Sequence, residues 1–122
     1  MDRLSVVTDE VAGVPVAWLE GEVDKLAVEH ARSRLDALAA SGKLVVALDR
    51  VSFIDSAGLH ALFGLCRSVA ASGGRVAVSV APDAPVAKVI AIVHLADAMP
   101  VRDSVEEAVL ALAEVSAFDG AG

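Results

Sequence analysis

Asp49-Arg50-Val51-Ser52-Phe53-Ile54-Asp55-Ser56-Ala57-Gly58-Leu59 lies between two segments of different periodicity. Before it, Leu44-Val45-Val46-Ala47-Leu48 is a short, continuous apolar run bounded by Ser41-Gly42, which reads as a buried strand. After it, apolar residues recur at Leu59, Leu62, Phe63, Cys66, Val69 and Ala70. Intervals of three and four mark one face of a helix, here running from Ser56 to about Ser72. Asp55 and Ser56, at the junction, are both good helix-cap residues. The Ser56 hydroxyl is therefore expected at a helix mouth, near unpaired backbone N–H groups and the positive end of the dipole. Ala57 and Gly58 add little bulk around it. A helix mouth suits a phosphate, yet Asp55 beside it would repel one. Two readings follow. Either both residues only cap the helix, or the site is built to be charged and discharged, the added charge staying unfavourable and exposed to a partner.

Outward from this junction, strands and helices alternate. Leu4–Val7 reads as a first strand, Asp9–Gly13 as a turn, and Val14–Leu19 as a second strand that ends at Glu20-Gly21-Glu22. A turn this short suits an antiparallel pair. A helix is expected from Asp24 to about Ala40, burying Leu26, Ala31, Leu35 and Leu38, with Lys25, Glu29, Arg32 and Asp36 on its other faces; Gly42 stops it. After the Ser56 helix, Gly73-Gly74 is the next stop and Val76–Val80 the next strand. Pro82-Asp83-Ala84-Pro85 opens a third helix with Val86, Val89, Ile90 and Val93 inward, since proline is tolerated in a first turn. A short strand is expected at Met99–Val101. Ser104-Val105-Glu106-Glu107 is then a capping box for a last helix carrying Val105, Val109, Leu112 and Ala113. The core spans about residues 4–115, and 116–122, with Phe118 to Gly122, is expected to be a loose tail. Alternating elements imply parallel strands joined by crossovers, the first two strands excepted. The expected fold is α/β: one domain over 1–122, with a mixed, mostly parallel sheet of four to five strands and about four packed helices.

Composition narrows the function. The chain has 122 residues, 56% of them hydrophobic but only 3% aromatic, so its core is built from Val, Leu, Ile and Ala rather than around a deep aromatic pocket. A net charge of −7 argues against direct binding to nucleic acid or anionic membrane. No apolar run approaches the roughly 20 residues that span a bilayer. Met1-Asp2-Arg3-Leu4 lacks the basic start and apolar core of a signal peptide. Cys66 is the only cysteine, excluding an internal disulfide, and sits on the apolar stripe as a core residue. These features lead to the expectation of a cytoplasmic domain without membrane insertion. Trp18 reads equally as a core or a rim residue.

Phe53-Ile54-Asp55-Ser56-Ala57-Gly58-Leu59, following a strand that ends in Leu48-Asp49, resembles the signature of the STAS domain. More narrowly it is similar to the bacterial anti-sigma factor antagonists. Gly21-Glu22-Val23-Asp24 resembles the family's second landmark. The Gly73-Gly74-Arg75 turn, the Val89 to Leu95 segment and the Ser104 helix follow in family order, so the likeness covers roughly Leu4 to Val115. His94 departs from it, the family often having a small residue or glycine there. Ala57 departs too, standing where many relatives carry a second hydroxyl.

The resemblance implies a partner-switching protein of transcription regulation, of the kind used in stress responses. Unphosphorylated, it binds an anti-sigma factor that is also a serine kinase, and so releases a sigma factor. Phosphorylation at Ser56 separates the complex, and a metal-dependent serine phosphatase restores it. Asp24, which on its own terms reads as a helix N-cap, is placed by the resemblance beside Ser56 on the partner surface. The expected partner-binding residues are Asp24, Asp55, Ser56, Ala57, Gly58, Leu59, His60 and Gly64. His60 lies four residues beyond Ser56, one turn along the same side; it either faces solvent or meets the partner or the phosphate. Gly58 and Gly64 would let a partner approach closely. The alternative is a STAS module that is never phosphorylated, a scaffold or ligand sensor in a larger assembly such as a lipid transporter. No enzymatic activity is expected, because no nucleophile–base pair accompanies the carboxylates. His30, His60 and His94 lack metal-ligand spacing, and Gly73-Gly74 is too brief to cradle a nucleotide, so neither metal nor cofactor is expected.

Overall fold

The computed structural model describes residues 4–121, with side chains for 4–113; Met1 to Arg3 and Gly122 lie outside them. Strands β1 (Leu4–Val11) and β2 (Val14–Val23) form an antiparallel hairpin closed by Ala12 and Gly13. Both turn residues have positive φ, 52° and 80°, the geometry with which a two-residue turn matches the twist of its strands. The reversal needs only these two residues, so Asp9, Glu10 and Val11 belong to β1 rather than to the expected turn. Helix α1 (Lys25–Ala39) follows, then β3 (Lys43–Ile54), α2 (Ser56–Ala71), β4 (Arg75–Ser79), α3 (Ala87–Ile92), β5 (Val101–Arg102) and α4 (Val105–Ala121). The sheet order is β1-β2-β3-β4-β5, with β2 to β5 parallel. Among the described residues, five strands in a mixed sheet with four helices agree with the sequence reading.

The helices divide between the two faces. Side chains of α1, α2 and α3 pack on one face in a core that includes Leu19, Leu35, Leu44, Leu48, Leu62 and Leu65. The other face is smaller: Val16, Val45, Ala47 and Ala77 meet Val105, Ala108, Val109 and Leu112 of α4. Trp18 is half-buried at the rim of this second core. The Arg50 guanidinium lies 4.5 Å from the centre of its ring while pairing with Glu20 at 2.6 Å.

Several elements differ from the sequence reading, each for a local reason. β2 and β3 both run past their expected ends, to Val23 and Ile54. Their register shifts twice: β2 advances from Trp18 to Glu20 while β3 advances from Ala47 to Arg50, and Gly21 to Glu22 opposes Val51 to Phe53. Each shift is a bulge on β3, and each breaks the period-two alternation by which a strand is recognised. In α1 the buried set is Val28, Ala31, Leu35 and Ala39, while Leu26 is 54% exposed. Leu26 lies two residues, about 200°, around the helix from Val28. In α2, Leu65 is fully buried, Phe63 and Cys66 flank the stripe half-buried, and Ala70 faces solvent. Pro82–Pro85 does not open α3. Ala84 N–H donates to Ala81 and Ala87 N–H to Ala84, giving two turns before the helix begins at Ala87. A residue before proline is pushed out of the helical region, and Ala84 precedes Pro85. Val89 is accordingly turned partly outward, and Val86 and Ile90 face the core. Met99 is buried against Cys66, Sδ to Sγ 3.2 Å, and the last strand is Val101–Arg102. Burial pushes the Cys66 thiol up to about 12, so it stays protonated as a core group. In α4, Ala108 rather than Ala113 faces inward, and the helix continues through Ala121 over most of the expected tail.

His94 has a left-handed backbone, φ 55° and ψ 42°, between α3 and the 3-10 turn Leu95–Asp97. A side chain costs roughly 1–2 kcal/mol in that conformation, which glycine adopts freely. His94 is exposed and its side chain has no cap hydrogen bond. We expect His94→Gly to stabilise the domain by about 1 kcal/mol, read as a higher urea midpoint with an unchanged slope. An unchanged or lower midpoint would show that the imidazole contributes more than its backbone costs.

Candidate functional site

The site forms where β2 and β3 end side by side. Val23 pairs with Ile54, and Asp55 N–H donates to the Val23 carbonyl at 3.3 Å. Each strand passes directly into a helix capped by an aspartate. Asp24 accepts the Ala27 amide at 2.8 Å, and Asp55 accepts the Gly58 amide at 2.6 Å. The two N-caps are thus neighbours, and two helix mouths open at the same end of the sheet, at the carboxyl ends of its parallel strands β2 and β3.

Gly58 sets the distance between them. A β-carbon there would overlap the Val23 carbonyl oxygen and lie 2.8 Å from its carbon and 3.1 Å from Asp24 Cα. Only glycine lets the first turn of α2 rest directly on the β2–α1 junction. Leu59 beside it is buried in the main core. Both residues therefore face inward and hold the first turn in place.

Asp55 is the cap and Ser56 the first helical residue, so Ser56 has no capping duty. It is exposed, as is Ala57, and its hydroxyl has no hydrogen bond among the described residues. Asp24 and Asp55, the two caps, are half-buried. His60 is exposed one turn further along α2. Gly64, another turn on, is half-buried, and a β-carbon there would meet nothing within 4 Å. Of the residues expected from sequence, the fold thus gathers Asp24, Asp55, Ser56, Ala57 and His60 at one edge of the surface, with Gly64 further along α2. Among the described residues no group of three or more His, Cys, Asp or Glu is placed to hold a metal ion, and no helix is long and apolar enough to cross a membrane.

One feature of this region escapes the sequence reading. A groove of about 450 Å³ runs between α1 and α2 from Ala57 past His60 and Gly64 to Arg67, with Lys25, Glu29 and Arg32 on its α1 side. The signal is present as matching spacing, Lys25-Glu29-Arg32 on one helix and His60-Gly64-Arg67 on the other, each i, i+4, i+7. What the sequence lacks is that these two stripes face each other.

Comparison with known proteins agrees with this architecture. A family model described as the STAS domain matches residues 5–108. No curated protein sequence matches. Among solved structures, an anti-sigma factor antagonist from Mycobacterium paratuberculosis superposes with a TM-score of 0.75 at 23% identity, covering 91% of this chain and 95% of that one. The phosphorylated form of SpoIIAA, a Bacillus cell fate determinant, gives 0.60 at 27% identity, over 86% and 96%. A sulfate transporter family protein from Wolinella succinogenes gives 0.66 at 19% identity, over 92% of each chain.

Proposed function

The chain belongs to the STAS domain family, and from that premise we propose that it is an anti-sigma factor antagonist switched by phosphorylation of Ser56. Unphosphorylated, it binds an anti-sigma factor and releases a sigma factor for transcription. That partner, acting as a serine kinase, phosphorylates Ser56 and is released, and a serine phosphatase resets the cycle. The protein is substrate and ligand in this scheme, not catalyst. The observation that carries the proposal is Ser56 itself: an exposed hydroxyl at the first position of α2, free of capping duty, beside the capping Asp55. The likeness to the phosphorylated form of SpoIIAA supports the same reading.

The charge balance explains how such a switch works without refolding. Phosphorylation adds about −1.5 to −2 charges at the meeting point of Asp24 and Asp55, on a chain already at −7. Burying that group in an interface is unfavourable unless cations meet it. Every ~1.4 kcal/mol of penalty weakens binding tenfold. The partner surface in this proposal comprises Asp24, Asp55, Ser56, Ala57, His60 and Gly64, with Gly58 and Leu59 supporting it from within.

The test is the intact mass of protein isolated from its native cells, with and without stress, followed by peptide mapping. A single addition of ~80 Da on Ser56, falling under stress, is the expected result. A major site elsewhere would overturn it. So would an unmodified protein that co-purifies with membrane transporter subunits, which is the outcome a scaffold would give.

A further inference from the structure

We propose that the groove between α1 and α2 seats an acidic segment of the protein's partner. The inference rests on the partner-binding reading of the same surface and names the chemistry of what is bound there. Three of the chain's ten Lys and Arg residues, Lys25, Arg32 and Arg67, line this one groove, on a molecule whose net charge is −7. Among the described residues Glu29 is the only carboxylate on its walls. Arg32 is already engaged by Asp36 at 3.2 Å, whereas Lys25 and Arg67 have no ion pair or side-chain hydrogen bond among the described residues. Two uncommitted cations thus stand on opposite walls, one on each helix.

The floor between them is small and apolar. Ala57, Ala61 and Gly64 line the α2 side, and the space above Gly64 is open. A peptide backbone with small side chains can therefore come close to α2 while its carboxylates reach Lys25 and Arg67. At one end the groove reaches Ala57, next to Ser56. An acidic occupant would feel the added charge of a phosphoserine there directly, so the groove extends the switch beyond steric contact with Ser56. A basic segment is disfavoured by the same cations. A lone small anion would use the charges but leave the Ala57–Gly64 floor uncovered.

The test uses a blocked peptide of Glu-Ala-Ala repeats, its Gln-Ala-Ala counterpart, and inorganic phosphate, each titrated into isotope-labelled protein and followed by amide NMR shifts. The Glu peptide is expected to shift Ala57, Ala61 and Gly64, with an affinity that falls as salt rises. Lys25→Glu with Arg67→Glu should weaken it by about tenfold or more. Gly64→Leu should weaken it similarly, because the new side chain fills open space; as a helix-favouring change it keeps the domain folded. No groove shifts with the Glu peptide, equal binding of the Gln peptide, or groove shifts with phosphate alone would each overturn the proposal. None of these measurements depends on the modification of Ser56, so failure here is distinguishable from failure of the phosphorylation reading.

Discussion

Ser56→Asp is expected to lower affinity for the proposed anti-sigma factor partner by about tenfold or more, while Ser56→Ala binds as the unmodified chain does and cannot be switched off. The asymmetry follows from the geometry. Ser56 is exposed and its hydroxyl has no hydrogen bond among the described residues, so its removal disturbs nothing in the fold. A carboxylate at the same position adds a negative group next to Asp55, at the junction where the Asp24 cap also lies, and both caps' oxygens are already engaged at 2.8 and 2.6 Å. Desolvating such a cluster needs only ~1.4 kcal/mol of added cost to give the tenfold loss. Calorimetric titration of the partner with the three proteins measures it. Equal affinity of the Asp and Ser forms would mean that charge at this position is not what separates the complex. Circular dichroism of all three should superimpose, since the mechanism involves no refolding.

Gly58→Ala is the second large effect, and it acts on the frame of the site. The added β-carbon falls on the Val23 carbonyl and within 3.1 Å of Asp24 Cα. These are backbone atoms at a strand end and a helix cap, and they cannot rotate aside. The first turn of α2 must lift, straining the Asp55–Val23 hydrogen bond and the Asp55 cap on the Gly58 amide. Overpacking of this kind costs about 1–3 kcal/mol, against a helix-propensity gain for alanine of about 1 kcal/mol. We expect net destabilisation and weaker partner binding together, because Ser56 and Asp24 lose their fixed separation. Gly64→Ala on the same helix is the control. It meets open space, so only the propensity gain remains and its urea midpoint should rise. If both glycines respond alike, Gly58 is not what sets the spacing of the two helix mouths.

The aspartate caps and the long helices are legible because they depend on residues within one turn of each other. Asp24 and Asp55 are caps by type and by position, and the structure places both as N-caps. The same locality explains the failures. Asp49 to Ile54 did not read as strand because two bulges break its alternation, and a bulge exists only relative to the neighbouring strand. Leu26 looked buried and is exposed, because a helix's inward direction is set by what it packs on. Trp18 is a rim residue because the β2–β3 pairing brings Arg50 over its ring at the margin of the second core.

The site divides in the same way. The sequence alone determined that Ser56 opens a helix behind an aspartate and that a second capped helix begins at Asp24, since a cap bonds to an amide three residues away. Only the tertiary structure decided that these two helix starts touch, that Gly58 is the contact between them, and that Lys25 and Arg67 line one groove from opposite helices. Those facts depend on the parallel pairing of β2 with β3. That pairing is a long-range arrangement, stabilised by the shared core beneath α1 and α2 rather than by any signal within a single element.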